Sequence, residues 1–134
     1  LGAYKKCIAV PAGHRLAGKK KLKISDLFGE TLMMVKAGDS PINDSIRAEL
    51  EKYPQIKIED TDHYYDISVY NKCVRTGSLL LNLECWSNIH PSLVTIPVEW
   101  EYEMPYGLLY GKNPSEDVLR FIKAVEAVKK ATRK

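Results

Sequence analysis

An α/β lobe with a central, mostly parallel mixed sheet covered by helices is the fold this sequence predicts, and three observations predict it. Short apolar runs alternate along the chain with segments of helical periodicity. The centres of two runs, Leu32-Met33-Met34-Val35 and Leu79-Leu80-Leu81, show no polar alternation, as expected of strands buried on both faces. Glycine, proline and capping residues punctuate the changes, and strand-helix alternation of this kind builds parallel crossovers. At 134 residues, 45% hydrophobic and 28% charged, the chain fits one globular domain with its own core, which excludes a disordered or collagen-like polypeptide.

The first strand spans residues 4–10, closed by Pro11-Ala12-Gly13. Ser25 caps a short helix that stops at Gly29. Residues 31–36 form a buried strand. Ser40 and Pro41 then open a helix whose stripe is Ile42, Ile46, Leu50 and Tyr53, ended by Pro54. Residues 55–60 alternate as a strand. Residues 65–76 form a helix with Ile67, Tyr70, Cys73 and Val74 on one face, and Gly77 supplies the left-handed terminus. Leu79 to Leu81 enter another strand, and residues 93–98 and 106–112 read as two more, separated by the acidic stretch 99–103. The last helix opens on Asn113-Pro114-Ser115-Glu116 and carries the stripe Val118, Phe121, Ile122, Val125 and Val128.

Charge and cysteine usage narrow the function. The net charge is +3, and the cluster Lys19-Lys20-Lys21 reads as a solvated loop rather than a nucleic-acid face. No apolar run is long enough to span a membrane. Cys7, Cys73 and Cys85 are an odd set with no close spacing, which argues against a disulfide framework or a cysteine zinc site and for a reducing cytoplasm. The start at Leu1 without a methionine suggests a piece of a longer polypeptide.

Catalytic and cofactor motifs are missing. Neither GxGxxG nor GxxxxGK[ST] occurs, and Gly38-Asp39-Ser40-Pro41 lacks the second glycine of a nucleophile elbow. His14, His63 and His90 fix no metal-ligand set, so no cofactor or metal is expected. Cys85 beside Glu84 reads as a buried, inert thiol, and Glu99, Glu101 and Glu103 as a solvated edge. What remains is a binding geometry, since ligands of open α/β sheets sit outside the carboxyl ends of the strands against helix N-termini. Two such ends are readable. Ser40 and Asn43 follow the second strand as an anion cradle, and Thr61, Asp62, His63 and Tyr64 form a polar-aromatic cluster after the third.

The order of segments resembles a known family. Residues 7–18, with His14-Arg15-Leu16-Ala17, then Asp26-Leu27-Phe28-Gly29, the helix end Val74-Arg75-Thr76-Gly77 and the closing Tyr106-Gly107-Leu108-Leu109-Tyr110 and 114–128 are similar to the effector-binding domain of LysR-type transcriptional regulators. Arg15, Leu79 and Glu84 depart from that pattern, standing where the family usually has proline, glycine and proline.

The resemblance implies a type-two periplasmic-binding-like domain of two lobes, with a small effector in the cleft between them. Residues 1–98 would be the second lobe, and 99–134 a crossover strand and C-terminal helix returning to a first lobe outside this chain. DNA contact would lie in a helix-turn-helix domain also outside it. The family's effector contacts fall near Pro11 and Ala12 and at Thr61, Asp62, His63 and Tyr64; Ser40 and Asn43 come from the helix-terminus argument. The implied function is small-molecule sensing by a bacterial, cytoplasmic regulator, without enzymatic activity. The competing reading is a solute-binding protein or a small-molecule enzyme on the same fold. The apolar stripe of the last helix would need cover, from its own lobe or from a second copy in a homo-oligomer.

Overall fold

The computed structural model describes residues 1–62 and 64–133. Strands β1 (Gly2–Pro11), β2 (Thr31–Val35), β3 (Lys57–Thr61), β4 (Leu79–Leu83), β5 (Leu93–Pro97) and β6 (Glu103–Tyr106) are accompanied by helices α1 (Pro41–Leu50), α2 (Ile67–Thr76) and α3 (Glu116–Thr132). Short 3₁₀ turns occupy Ile24–Leu27 and Glu84–Trp86. The described chain forms two compact units, one of Tyr4–Met104, the other of Leu1–Ala3 with the residues from Pro105 onward.

The strand order is β3-β2-β4-β1-β5, with β6 also paired to β1. β2 is parallel to β3 and to β4, whereas β1 is antiparallel to β4 and to β5. Four strands therefore point one way, and β1 runs against them from inside the sheet. Its Ile8 lies between Leu81 and Ile96.

Strand periodicity of two divides the core into two layers. Ile8, Val10, Leu32, Met34, Leu79, Leu81 and Ile96 face one side, where Ile46 and Leu50 of α1 and Leu16, Leu22 and Leu27 of the loops cover them. Ala9, Met33, Leu80 and Leu93 face the other, under Tyr70 and Cys73 of α2. The sheet is thus sandwiched, and each fully buried leucine or isoleucine contributes roughly 1.5–3 kcal/mol. Trp100 and Tyr102 close the first layer, with rings edge to face at 5.5 Å, and the Trp100 indole donates to the Lys6 carbonyl at 2.8 Å.

Local signals act where the sequence places them, with five differences. Ser40 caps α1 by accepting from the Asn43 amide, and Gly77 ends α2 at φ 70°. The first 3₁₀ turn is capped by Asp26 reaching back to the Lys23 amide at 2.8 Å rather than by Ser25, because Asp26 is also held by Lys19 at 2.6 Å. α1 stops at Leu50, though Tyr53 still packs on Phe28. Ile67 is exposed because, at the first position of α2, it lies outside the face that Val69, Tyr70 and Cys73 turn to the sheet. The strand expected over residues 106–112 is β6, over Glu103–Tyr106; Leu108, Leu109 and Tyr110 are exposed and carry no regular structure, since apolar character without a neighbouring strand does not make a ladder. Cys85 is exposed as well, because the chain leaves the sheet at Leu83.

In the second unit the Leu1 amine donates to the Tyr106 carbonyl at 2.9 Å, and the Tyr106 ring lies where a Cβ on Gly2 would stand, 2.9 Å away. Ser115 caps α3 through the Val118 amide. No residue of α3 is buried.

Candidate functional site

The carboxyl ends of β2, β3 and β4 and the entering end of β1 meet at one edge of the sheet, because β1 runs against the others. Within the Tyr4–Met104 unit this edge holds a cavity of about 590 Å³, in the size range of small-molecule sites. Alternation along β1 puts Lys6 on the same face as Ile8 and Val10. Asn43 comes from the first turn of α1, positioned by Ser40 and Pro41. Tyr64 and Tyr65 come from the segment leading into α2, Tyr70 from its first turn, and Trp86 from the turn after β4. Tyr65 packs edge to face on Tyr70 at 6.2 Å and on Trp86 at 6.4 Å, which makes a continuous aromatic wall.

Two residues of this lining, Lys6 and Asn43, are buried and carry polar groups for which the described residues supply no partner. Lys6 is 6% exposed, and among the described residues no carboxylate pairs with it. Burial alone lowers its pKa from 10.5 to about 8. Asn43 is 8% exposed, and its buried Oδ1 accepts no hydrogen bond among the described residues. Burial also raises the Tyr65 and Tyr70 hydroxyls, so both stay neutral. Beside the cavity, Arg47 donates to the Val35 carbonyl at 2.9 Å and pairs with Asp60 at 2.7 Å.

The residues singled out from the sequence separate into three places. Asn43 and Tyr64 line the cavity, while the Ser40 hydroxyl is engaged by the Asn43 amide at 3.4 Å and serves the helix. Thr61 and Asp62 line a neighbouring groove of about 340 Å³ with Lys36, Ser68 and Lys72. Thr61 is opposite Val35, which lines the cavity itself. Pro11 and Ala12 are not brought together with these residues. They end β1 at the opposite edge, in a depression of about 580 Å³ with Arg75 and Ser92, because an antiparallel strand delivers its carboxyl end where its neighbours begin. His63 lies outside the described residues. His14 is held by Glu30 at 3.0 Å, and Arg15 joins the same carboxylate at 2.8 Å, so this pair ties the loop after β1 to the start of β2.

Sequence reading missed Lys6, Tyr65, Tyr70 and Trp86 as a group. Lys6 had a signal, its even position in phase with Ile8 and Val10; the aromatic wall had none, since it joins segments distant in sequence. Burial pushes the Cys7 thiol up to about 11 and the Cys73 thiol up to about 12, so neither is primed as a nucleophile.

No protein-family model matches the chain, and no curated protein does. Solved structures do. The regulatory domain of Synechocystis PCC6803 CcmR in complex with 2-PG is similar, with a TM-score of 0.66 at 15% identity over 94% of this chain and 63% of that one. The effector-binding domain of QuiR in complex with shikimate gives 0.57 at 17% identity over 77% and 49%. The regulatory domain of MetR, a LysR family regulator from N. meningitidis, gives 0.55 at 18% identity over 73% and 46%. The fold is therefore that of a LysR regulatory domain, of the periplasmic-binding-protein type, and the chain covers a lobe-sized portion of it. The chain spans about half the length of the solved structures it matches. No helix among the described residues is long and apolar enough to cross a membrane.

Proposed function

We propose that this chain is the effector-sensing part of a bacterial, cytoplasmic LysR-type transcription regulator, acting by binding rather than by turnover. The cavity at the carboxyl edge carries this reading. It combines a small-molecule volume, an aromatic wall and two polar groups without a partner among the described residues, on a fold whose solved examples include domains in complex with 2-PG and with shikimate. Residues 1–98 act as the second lobe and 99–134 as the crossover strand and terminal helix. An effector at Asn43 and Tyr64, with Thr61 and Asp62 alongside, favours one lobe arrangement, and the difference in affinity between arrangements shifts the attached helix-turn-helix domains on DNA. Pro11, Ala12 and Ser40 have no direct role in this cavity. The exposed apolar residues of α3 associate with a second copy of the chain.

A thermal-shift screen of small metabolites against the chain tests the binding reading. A stabilising compound should also change Trp86 fluorescence, and Tyr65→Ala should abolish both effects. A compound whose stabilisation survives Tyr65→Ala and Trp86→Ala unchanged would place binding elsewhere and remove the reading.

A further inference from the structure

Lys6 and Asn43 together specify the chemistry of the occupant. Resting on the effector-cavity reading, we propose that the cavity takes a small organic monoanion, a carboxylic acid that also carries a hydrogen-bond donor, with Lys6 binding the carboxylate and Asn43 accepting from the donor. Lys6 is the only cation among the described residues of the lining; the residue is 6% exposed, and no carboxylate among the described residues pairs with it. A buried charge without a counter-ion is costly, and a ligand carboxylate removes that cost while gaining a charge-assisted hydrogen bond. One cation balances one negative charge, which suits a carboxylate better than a phosphate dianion.

Asn43 adds the second requirement. Its orphan oxygen is acceptor-only, so it is satisfied by a hydroxyl or amine on the ligand and by no apolar group. The rest of the lining, Tyr65, Tyr70, Trp86, Ile89 and Met104, is aromatic or aliphatic and suits the carbon body of such an acid. The lysines of the neighbouring groove differ from it: Lys72 is already paired with Glu59, and Lys36 is only half-buried.

The test is a titration of the chain with a panel of small hydroxy carboxylic acids, 4-hydroxybenzoate among them, each run beside its uncharged amide and beside inorganic phosphate. At least one acid should bind, its amide at least about tenfold more weakly, and phosphate should not compete. Lys6→Met should erase the preference for acid over amide, and Lys6→Arg should keep it. Equal binding of acid and amide, an acid preference that survives Lys6→Met, competition by phosphate, or no acid of the panel binding would each overturn the proposal. The two readings fail differently. If amides match acids and Tyr65→Ala abolishes both, the anion assignment falls and the cavity stands; if acid binding depends on Lys6 but ignores Tyr65→Ala, the cavity reading falls.

Discussion

Lys6 shows how a single side chain can set both a stability and a binding property. Its amine ionises near pH 8 in the folded chain and near 10.5 outside it, so between those values the unfolded chain holds more protons and stability rises with pH. Below pH 8 the folded state carries a desolvated charge. Lys6→Met removes that burden and should stabilise the chain by about 2 kcal/mol at pH 7, with the advantage shrinking toward pH 10. Urea melts of both proteins at the two pH values check this. Lysine content alone gave no hint of this role, because Lys5 and Lys6 look alike in the sequence. Only the phase of the strand distinguishes them, and that phase is fixed by Ile8 and Val10 entering the core.

Elements were the most legible level, and the reasons are local. Pro41 and Ser40 announce α1, Gly77 ends α2, and the unbroken Leu79-Leu80-Leu81 marks a strand buried on both faces. Ser40→Ala should lower stability by about 1 kcal/mol through loss of the cap while leaving the cavity lining intact, so a thermal melt should fall and ligand response should persist. If Ser40 instead touched the ligand, affinity would fall with it. Failures at this level also have physical causes. Residues 107–112 have the apolar content of a strand but no ladder partner, and Cys85 follows a buried run yet sits outside because the chain turns into a 3₁₀ turn. Pro11 and Ala12 stand apart from Thr61 for a topological reason. Sequence order cannot show that β1 is reversed, and reversal sends its carboxyl end to the far edge.

The whole molecule presents two units with different packing. The Tyr4–Met104 unit has a two-layer core, whereas α3 buries none of its residues, and Phe121 is 60% exposed. An apolar face of this kind drives association. Light scattering of the chain should give a mass above that of a monomer, and Phe121→Asp together with Val128→Asp should return it to the monomer mass without lowering the melting temperature of the lobe. A monomeric wild-type chain would remove the association part of the proposed function.

The reversed strand at the centre of the lobe has a kinetic consequence as well. β1 is made first, yet it is completed by β4 and β5, and the bond from Trp100 to Lys6 spans 94 residues. The sheet cannot close until nearly all of the Tyr4–Met104 segment has left the ribosome: β1 stays unpaired until β4 emerges, and its far edge then waits for β5. Long loops must be drawn in before these pairings reward it, so refolding should be slow for a chain of this size and prone to aggregation through the waiting edges of β1.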